Sequence, residues 1–447
     1  MHRFLPDLAD RSAPRYTSYP TAAEFHEGVG AADQAQALRS VTPDAPVALY
    51  LHIPFCHEIC WYCGCNTGAL GRGDRLAAYR DALLREIETV GAQMRGRVVS
   101  VHLGGGSPNV LAAEDLIEIA RALRLRFDIA PDADWAVEID PRSMDADRAV
   151  ALAAAGINRA SLGAQTFAPH VQLRIGRIQP FRQVARVAGA LRAAGIERIS
   201  LDLMYGLPAQ RLDDIAGTIA HALSLRPDRI AMFGYAHMPH RIARQRRIDP
   251  HILPDAKARF WQSALAHDLF VEAGFEPVGF DHFARPDDPL AVAARDGTLR
   301  RNFQGFTADR AATVIGLGAS SISLFDGLIV QNEKHFGRYR MMAGNGMLTG
   351  VRGVVRSAED RMRGTVIERL LCDGAVDAAA VAAQHGGSTA AFAAGLPLLR
   401  RLAAAQLLTL DGWQIRLTPS GRTYARVAAS AFDGYRNGAV HRFSRAV

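Results

Sequence analysis

Lysine is almost missing from this 447-residue chain: its 52 basic residues include Lys257 and Lys334 as the only lysines, and the rest are arginines. The arginines are scattered, and the densest group is Arg244-Gln245-Arg246-Arg247. A net charge of +7 therefore comes without the basic run that marks a nucleic-acid-binding arm. We predict no nucleic-acid partner. The arginines suit a substrate with several carboxylates instead, because the guanidinium fork matches carboxylate geometry.

Long apolar runs are also missing. The longest uncharged stretch, 378–399, is interrupted by Gln384, Gly386-Gly387 and Pro397, so it predicts no membrane-spanning helix. The first residues, MHRFLPDLADR, lack the apolar region of a secretory signal. With 49% apolar and 22% charged residues, the chain is neither disordered nor fibrous. We expect a soluble cytoplasmic protein without a membrane partner, and a monomer by default.

Cysteine is scarce, and its distribution is uneven. Four of the five cysteines lie within ten residues, at Cys56, Cys60, Cys63 and Cys65, and the fifth is Cys372. A disulfide framework would spread them out. Three thiolates on one short loop suit an iron–sulfur cluster, and a four-iron cube with three cysteine ligands leaves one iron open to a small cofactor. A zinc site remains an alternative, although no second cysteine pair is present.

The periodicity of residues 46–236 alternates between strand and helix. Short apolar runs are separated by amphipathic stretches, as in Arg75–Val90, where apolar side chains recur every three or four residues. The predicted strands are Val47–Ile53, Val98–Leu103, Trp135–Ile139, Arg159–Ala164, Ile199–Met204 and Arg229–Phe233, and the other predicted helices are Ala113–Leu125, Asp145–Ala155, Phe181–Ala194 and Leu212–Leu223. Repeated βα units predict a parallel sheet with right-handed crossovers. Six units form a partial barrel; a complete eight-unit barrel is the alternative, but residues 237–330 lose the clean repeat.

The predicted fold class is therefore α/β, with a piece added at each end. Residues 1–45 form an N-terminal extension, residues 46–355 a catalytic domain, and residues 356–447 a small, mostly helical C-terminal domain of winged-helix type. In that last domain the pattern predicts helices over Ala358–Cys372, Ala375–Gln384 and Leu396–Leu408 and a strand over Trp413–Leu417. A structural cap over the sheet is the alternative role of this domain.

Polar residues follow the predicted strands repeatedly, where α/β sheets carry their functional groups. The second strand runs into Gly104-Gly105-Gly106-Ser107, which matches neither a dinucleotide fingerprint nor a phosphate loop and lets the backbone approach a ligand closely. Glu138 and Asp202 end two further strands, where a carboxylate can bind a ribose diol or a cationic group. We interpret the three histidines nearest these ends, His52, His57 and His237, as structural or exposed.

These features together resemble the radical S-adenosylmethionine (SAM) superfamily, whose C-x₃-C-x₂-C motif follows the first strand of a partial (β/α)₆ barrel and whose glycine-rich segment follows the second. More narrowly, the chain is similar to the oxygen-independent coproporphyrinogen III oxidase family. The matching segments are Arg15–Thr21, Leu51–Cys56, Cys63–Asn66, Asp202–Pro208, His282–Asp288, Asn302–Gly305, Gln331-Asn332 and Phe443–Arg445.

The resemblance implies a set of site residues. Cys56, Cys60 and Cys63 would ligate a [4Fe–4S] cluster, and the role of Cys65 is unassigned. The SAM at the open iron would be held by Tyr50, Gly105, Glu138 and Ile322. A second SAM site would be lined by Tyr62, Gly106, Ser107, Gln165, Arg177, Asp202 and Ala236. The resemblance assigns no separate catalytic residue, and the segment around Arg15-Tyr16 would close over the substrate.

The resemblance also implies a reaction in haem biosynthesis. A 5′-deoxyadenosyl radical would abstract hydrogen from the β-carbon of a propionate, and loss of CO₂ and one electron would leave a vinyl group. Acting on two propionates, this radical SAM oxidoreductase, a coproporphyrinogen dehydrogenase, would convert coproporphyrinogen III to protoporphyrinogen IX. The electron donor and acceptor are not identified by the sequence.

Some residues depart from the family pattern. Leu103 stands where Trp is usual and Ser107 where Thr is usual, which leaves a specialised second copy of the enzyme as an alternative. A haem chaperone on the same scaffold is a rival, but it typically has Phe at the position of Cys65. A haem-modifying radical methyltransferase and a structural zinc protein that binds nucleic acid are the other rivals.

Overall fold

The computed structural model describes residues 2–71, 74–436, 443 and 445. Parts of four sequence predictions lie outside the described residues. They are Met1 of the N-terminal extension, residues 72–73 of the predicted catalytic domain, Ser444 of the last matching segment, and residues 437–442, 444 and 446–447 of the predicted C-terminal domain.

Within the described residues, twelve strands form one sheet that is parallel in its centre and antiparallel at both edges. In chain order they are β1 (Pro46–Ile53), β2 (Arg97–Gly105), β3 (Ile129–Ile139), β4 (Arg159–Gln165), β5 (Arg198–Tyr205), β6 (Arg229–Gly234), β7 (Glu276–Val278), β8 (His282–Ala284), β9 (Thr313–Leu317), β10 (Ile322–Leu324), β11 (Leu328–Asn332) and β12 (Gly350–Val355). Their spatial order is β12-β11-β10-β9-β1-β2-β3-β4-β5-β6-β8-β7.

The predicted run of six parallel strands is confirmed, because β1 to β6 pair in parallel in chain order. The sequence did not predict β9, which adds a further parallel strand on the free side of β1. Both edges then turn antiparallel, with β8 and β7 beyond β6 and β10 to β12 beyond β9. The loss of clean βα repeats after residue 236 reflects this change of direction.

Five helices follow the strands, as the amphipathic stretches predict: α1 (Arg75–Gly91), α2 (Ala113–Arg126), α3 (Ala146–Ala154), α4 (Phe181–Ala193) and α5 (Leu212–Ser224). A sixth helix, α6 (Ala256–Glu272), was not predicted. In α1, Tyr79, Leu83, Ile87 and Val90 are buried on one face, which is the three-to-four-residue repeat of the sequence. The remaining helices outside the C-terminal region are Pro6–Ala9, Ala31–Ser40, Pro169–Arg174, Pro289–Arg295 and Phe336–Gly344. No helix in the described part of the chain has the length and apolarity needed to cross a membrane.

The C-terminal region combines helices with a small antiparallel sheet. Its helices are Ala358–Asp373, Ala378–Gln384, Leu396–Ala404 and Ala425–Ala429, and its strands pair in the order Ala375–Asp377, Gln414–Leu417, Leu408–Asp411. Two predicted helices are therefore too long. Ala375–Asp377 pairs as a strand before the helix begins, and the helix expected to reach Leu408 ends at Ala404. The winged-helix type and the domain boundaries stay predictions.

The N-terminal segment packs on this C-terminal region. Leu8, Tyr16 and Tyr19 are buried in the same apolar cluster as Val366 and other C-terminal side chains. Tyr16 Oη donates a hydrogen bond to Asp433 at 2.9 Å. The two ends of the chain thus form one apolar core beside the large sheet.

A buried carboxylate joins α1 to the β9 side of the sheet. Glu86 accepts hydrogen bonds from Gly318 N (2.6 Å), Thr349 Oγ1 (2.6 Å), Tyr339 Oη (2.8 Å) and Asn332 Nδ2 (2.9 Å). Burial raises the pKa of Glu86, although these four donors oppose the shift. One side chain thereby satisfies donors from four separate segments.

The first prediction concerns this network. Glu86→Ala removes an acceptor from four buried donors, of which Asn332 Nδ2 keeps others such as Ser321 Oγ at 3.0 Å, and we expect the free energy of unfolding to fall by about 3 kcal/mol or more. Glu88→Ala on the same helix is the control, because Glu88 makes only exposed ion pairs with Arg85 and Arg126, which contribute little. Thermal unfolding followed by circular dichroism measures both. Equal midpoints for the two variants would show that the network is unimportant for stability.

Candidate active site

The cysteine loop connects β1 to α1 at the carboxyl edge of the sheet. Cys60 is buried, Cys56 and Cys63 are partly buried, and Cys65 is exposed. A two-residue parallel pairing of Phe55–Cys56 with Gly68–Ala69 closes the loop, and Leu70 N donates to Cys56 O at 3.0 Å. The three thiols of the motif are therefore held on a folded loop, and none is used in a disulfide.

The surroundings of the thiols fit a thiolate-bound metal cluster. Burial raises the pKa of Cys56, and the neighbouring thiols of Cys63 and Cys60 add to the shift. Two guanidinium groups, from Arg142 and Arg177, each donate a hydrogen bond to Cys60 Sγ at 3.2 Å. Positive donors of this kind stabilise thiolates, and three thiolates are the ligand set of a [4Fe–4S] cluster with one open iron.

A buried ion network positions those guanidiniums. Asp140, just after β3, accepts from Arg177 Nη1 and Nη2 at 3.2 Å each and from Arg142 Nη2 at 2.7 Å. Burial alone would raise the pKa of Asp140, but Arg177 and Arg142 outweigh it and hold the pKa below its usual value. Arg177 Nη2 also donates to Gly163 O at 2.7 Å, which fixes its position beside β4.

The glycine segment lies directly against the cysteine loop. Gly106 N donates to Ile53 O and Ser107 N to Phe55 O, both at 2.8 Å. A Cβ atom on Gly106 would lie 2.5 Å from Phe55 O, so only glycine permits this approach. Gly105 has a φ of +109°, which an L side chain rarely adopts. The sequence predicted a close backbone approach here; in the structure the backbone approaches the cysteine loop.

Glu138 is the carboxylate nearest this glycine segment. Its Oε2 accepts from Gly105 N and its Oε1 contacts His102 Nε2, both at 3.1 Å. Burial alone would raise the pKa of Glu138. The hydrogen bond from His102, the charge of His102 and the hydrogen bond from the Gly105 amide together lower this pKa below its usual value. Tyr50, whose ring stacks on His102, contacts His52 Nδ1 through its hydroxyl at 3.1 Å. The predicted residues Tyr50, Gly105 and Glu138 therefore share the ends of β1, β2 and β3.

Ile322 approaches this group from the neighbouring strand. It begins β10, and its carbonyl oxygen would lie 2.7 Å from a Cβ placed on Gly316. Gly316 in β9 is the register partner of Tyr50. Because Gly316 has no side chain, the backbone of Ile322 can lie against it. Ile322 therefore lies at the same edge of the sheet as Tyr50.

The other predicted residues extend along the edge toward β6. Asp202 on β5 accepts from Ser161 Oγ at 3.2 Å, and burial, with the charge of Glu138 next in size, raises the pKa of Asp202 to about 6. Gln165 ends β4 with a φ of +63°, and its amide folds back toward Gly163. Along this edge the pKa values of Glu138 and Asp140 are lowered, and the pKa of Asp202 is raised.

Gln245 connects two of the predicted site residues, Tyr62 and Ala236, and the sequence analysis missed it. Its Nε2 donates to Tyr62 O at 2.8 Å and to Ala236 O at 3.1 Å, so it ties the cysteine loop to the end of β6. Arg142 was missed as well. Gln245 and Arg142 contact residues more than 80 positions away in the sequence, or backbone carbonyls. No local sequence motif therefore marks either residue.

The interpretation of the three histidines as structural or exposed stays a prediction. His52 is buried, and its Nε2 contacts Asn66 O at 3.0 Å within the cysteine loop. His237 lies beside Tyr235, whose hydroxyl is 2.8 Å from its Nδ1. His57 is exposed.

Comparison with known proteins identifies the family. Residues 50–222 match the radical SAM superfamily and residues 357–424 match the HemN C-terminal domain. The chain is 42% identical over 438 residues to the oxygen-independent coproporphyrinogen III oxidase of Bradyrhizobium diazoefficiens, with 97% of each chain covered. Identity to the enzyme of that name from Escherichia coli K12 is 37% over 445 residues, covering 98% of this chain and 96% of that one. The chain belongs to the oxygen-independent coproporphyrinogen III oxidase family.

The solved structures agree with this assignment. The structure described as "Coproporphyrinogen III oxidase (HemN) from Escherichia coli is a Radical SAM enzyme" superposes with a TM-score of 0.89 at 36% identity, covering 94% of this chain and 97% of that chain. The predicted radical SAM fold and the predicted membership of the coproporphyrinogen III oxidase family are therefore confirmed. As a radical SAM family member the chain uses a [4Fe–4S] cluster and SAM, to which the thiol loop described above is suited.

The second prediction tests the contact between the glycine segment and the cysteine loop. Gly106→Ala places a methyl group against Phe55 O and Ile53 O, and we expect less bound iron after anaerobic reconstitution and a lower melting midpoint. Gly217→Ala in α5 is the matched control, since nothing lies within 4 Å of its Cβ position. That substitution should stabilise the helix by about 1 kcal/mol and leave the iron content unchanged. Full iron loading of Gly106→Ala would contradict the prediction.

Proposed function

We propose that this chain removes two propionate carboxyl groups of coproporphyrinogen III without oxygen, forming the vinyl groups of protoporphyrinogen IX in haem biosynthesis. The observation that supports this most directly is the three-thiol loop beside Glu138, on a chain 37–42% identical over nearly its whole length to coproporphyrinogen III oxidases. The cluster with SAM supplies the one-electron chemistry that removes a hydrogen atom from the β-carbon of a propionate. At each propionate the net change is loss of that hydrogen atom, CO₂ and one electron.

In this proposal Cys56, Cys60 and Cys63 hold the cluster. Arg142 and Arg177 donate to Cys60 Sγ and offset part of the negative charge that accumulates on a thiolate-bound cluster. Their own positions depend on Asp140, so this carboxylate is a positioning residue for the cluster.

The SAM at the open iron would contact Tyr50, Gly105, Glu138 and Ile322. Glu138 suits a ribose diol or an ammonium group, because its lowered pKa keeps it ionised and able to accept hydrogen bonds. Burial, then the charge of Glu138, raises the pKa of Tyr50, so its hydroxyl stays protonated.

A second SAM would lie along the carboxyl edge of the sheet, between the glycine segment and the end of β6. The proposed residues are Tyr62, Gly106, Ser107, Gln165, Arg177, Asp202 and Ala236. Two observations support this assignment: these residues lie at one edge of the sheet, and Gln245 donates hydrogen bonds to the carbonyls of both Tyr62 and Ala236. We also propose external one-electron donors and acceptors, a cytoplasmic location and a monomeric state.

The third prediction tests the reaction itself. Reconstituted protein is incubated anaerobically with coproporphyrinogen III, SAM and a reductant, and porphyrin products and 5′-deoxyadenosine are quantified together. We expect protoporphyrinogen IX in proportion to deoxyadenosine. Deoxyadenosine without porphyrin conversion would reject this substrate, and absence of SAM cleavage by a cluster-loaded protein would favour a haem chaperone.

Cysteine variants refine that experiment. Cys56→Ser should abolish turnover without unfolding the barrel, because it removes one proposed cluster ligand. Cys372→Ala is the control, since Cys372 is buried among apolar side chains such as Leu290 and Phe306, away from the thiol loop, and should keep both iron and turnover. Normal turnover by Cys56→Ser would overturn the proposed site.

The fourth prediction follows from Asp202. Its pKa of about 6 means that the carboxylate is ionised at neutral pH and gains a proton as the pH falls through that value. If the ionised form binds SAM, kcat/KM falls below the pKa in the parent protein. Asp202→Asn should lower kcat/KM and remove this acid limb, while Asp213→Asn on the exposed start of α5 should leave it in place. An identical acid limb in Asp202→Asn would assign it to another group.

A further inference from the structure

Two histidines and one aspartate meet where the N-terminal segment crosses α6, and we call them the His–His–Asp group. His267 and Asp268 belong to α6, and His2 belongs to the N-terminal segment. His2 Nε2 lies 2.7 Å from Asp268 Oδ1, and His267 Nδ1 lies 3.2 Å from the same oxygen. One ligand atom from each side chain lies within 4.8 Å of the other two. In the described part of the chain, no other set of three His, Cys, Asp or Glu side chains meets that condition.

This spacing fits the ligands of a small divalent ion. Zinc binds nitrogen and oxygen ligands at about 2.0–2.2 Å, so two ligand atoms of a tetrahedral site lie roughly 3.4 Å apart. The two distances to Asp268 Oδ1 are close to that value, and small side-chain rotations complete the arrangement. A cavity of about 40 Å³ borders both His2 and His267, which is room for a water molecule as a fourth ligand.

Aromatic packing orients the two imidazole rings. The ring of His267 meets the buried ring of Phe283 edge to face, with centres 5.9 Å apart, and His2 meets His267 in the same way at 5.2 Å. The side chain of Asp268 is 63% exposed, whereas that of His2 is 18% exposed. The ring nitrogens are therefore held in place, and the open carboxylate gives an ion a path from solvent.

The position of His2 is fixed by the residues that follow it. Tyr424 Oη donates a hydrogen bond to Arg3 O at 3.0 Å. The ring of Phe4 lies 5.4 Å from the ring of Phe260, which is also on α6. These contacts place the start of the N-terminal segment against both α6 and the C-terminal region, so His2 reaches His267 and Asp268 without rearrangement of the backbone.

The chemistry of the three ligands selects a class of ion. The ion pairs described for Asp268 are both with histidines, so a metal ion replaces no arginine or lysine partner. Two imidazole nitrogens and one carboxylate suit zinc and related transition ions, whereas Mg²⁺ and Ca²⁺ prefer oxygen ligands. Arg422 lines the same cavity, and its positive charge opposes a bound cation. With three protein ligands, we expect a Kd on the order of micromolar.

We propose that His2, His267 and Asp268 bind one divalent transition-metal ion of the zinc class, which fastens the N-terminal segment to α6. The ion links residues that are more than 260 positions apart in the chain. It therefore acts as a cross-link that restrains the segment leading to Arg15 and Tyr16. This site is separate from the three-thiol loop and does not depend on the proposed function.

Zinc binding tests the group on tag-free protein whose iron–sulfur cluster has been reconstituted, so that the thiols of the motif are already engaged. Zn²⁺ is titrated anaerobically in competition with a chromophoric chelator, and total zinc and iron are measured. We expect one zinc ion per chain, and His2→Ala, His267→Ala and Asp268→Asn should each weaken binding by about tenfold or more. His170→Ala is the matched control, because His170 pairs with a single carboxylate, Asp214, at 3.3 Å, and it should bind zinc as the parent does.

Two results of this titration would overturn the metal site. Parent-like zinc affinity in both His267→Ala and Asp268→Asn, with melting midpoints that match the parent's, would place bound zinc elsewhere. Equal competition by Mg²⁺ would show that oxygen ligands hold the ion, contrary to the imidazole pair.

Amide hydrogen exchange tests the fastening. Saturating Zn²⁺ should slow exchange at Leu8 and Ala9, in the short helix that follows His2, in the parent and not in Asp268→Asn. Zinc binding that needs the three side chains but leaves this exchange unchanged would overturn the cross-link. None of these readouts involves turnover, so failure to convert coproporphyrinogen III would reject the proposed function and leave the metal site standing.

Discussion

The backbone pairing between β1 and β2 continues beyond the two strands, and the active edge depends on this continuation. Two amides of the glycine segment, Gly106 N and Ser107 N, donate to Ile53 O and Phe55 O at the start of the cysteine loop. A Cβ on Gly106 would lie 2.5 Å from Phe55 O and 2.8 Å from Ile53 O, so this position requires glycine. The same segment presents Gly105 N to Glu138, so one stretch of backbone holds both the thiol loop and the carboxylate.

Charge around the thiols is balanced by neighbouring side chains. Asp140 accepts hydrogen bonds from Arg142 and Arg177, which in turn donate to Cys60 Sγ. Such a network positions a group that carries its own negative charge.

The two ends of the chain are joined to each other by hydrogen bonds. Tyr16 bonds to Asp433, and Gly434 N donates to the hydroxyl of Tyr19 at 2.8 Å, so the N-terminal segment is fastened to the C-terminal region. Arg426 reaches back to the carbonyl of Ala13. Residues near both termini thereby meet the ends of β5 and β6. The predicted closure of the N-terminal segment over the substrate stays a prediction.

The sequence by itself determined the features that depend on local pattern. Short apolar runs located β1 to β6, and a period of three to four residues located α1 to α5, within a few residues. The cysteine spacing with the adjoining family segments indicated the cofactor chemistry. Local pattern failed where pairing partners are distant: Ala375–Asp377 reads as helix in isolation but pairs with Gln414–Leu417, and β9 joins β1 from more than 250 positions away. Only the tertiary structure brought Arg142 and Arg177 to Cys60, and Gln245 to Tyr62 and Ala236. These contacts decide charge and shape at the site, and because a side chain's distant neighbours leave no trace in its own stretch of sequence, they appear only when the chain is folded.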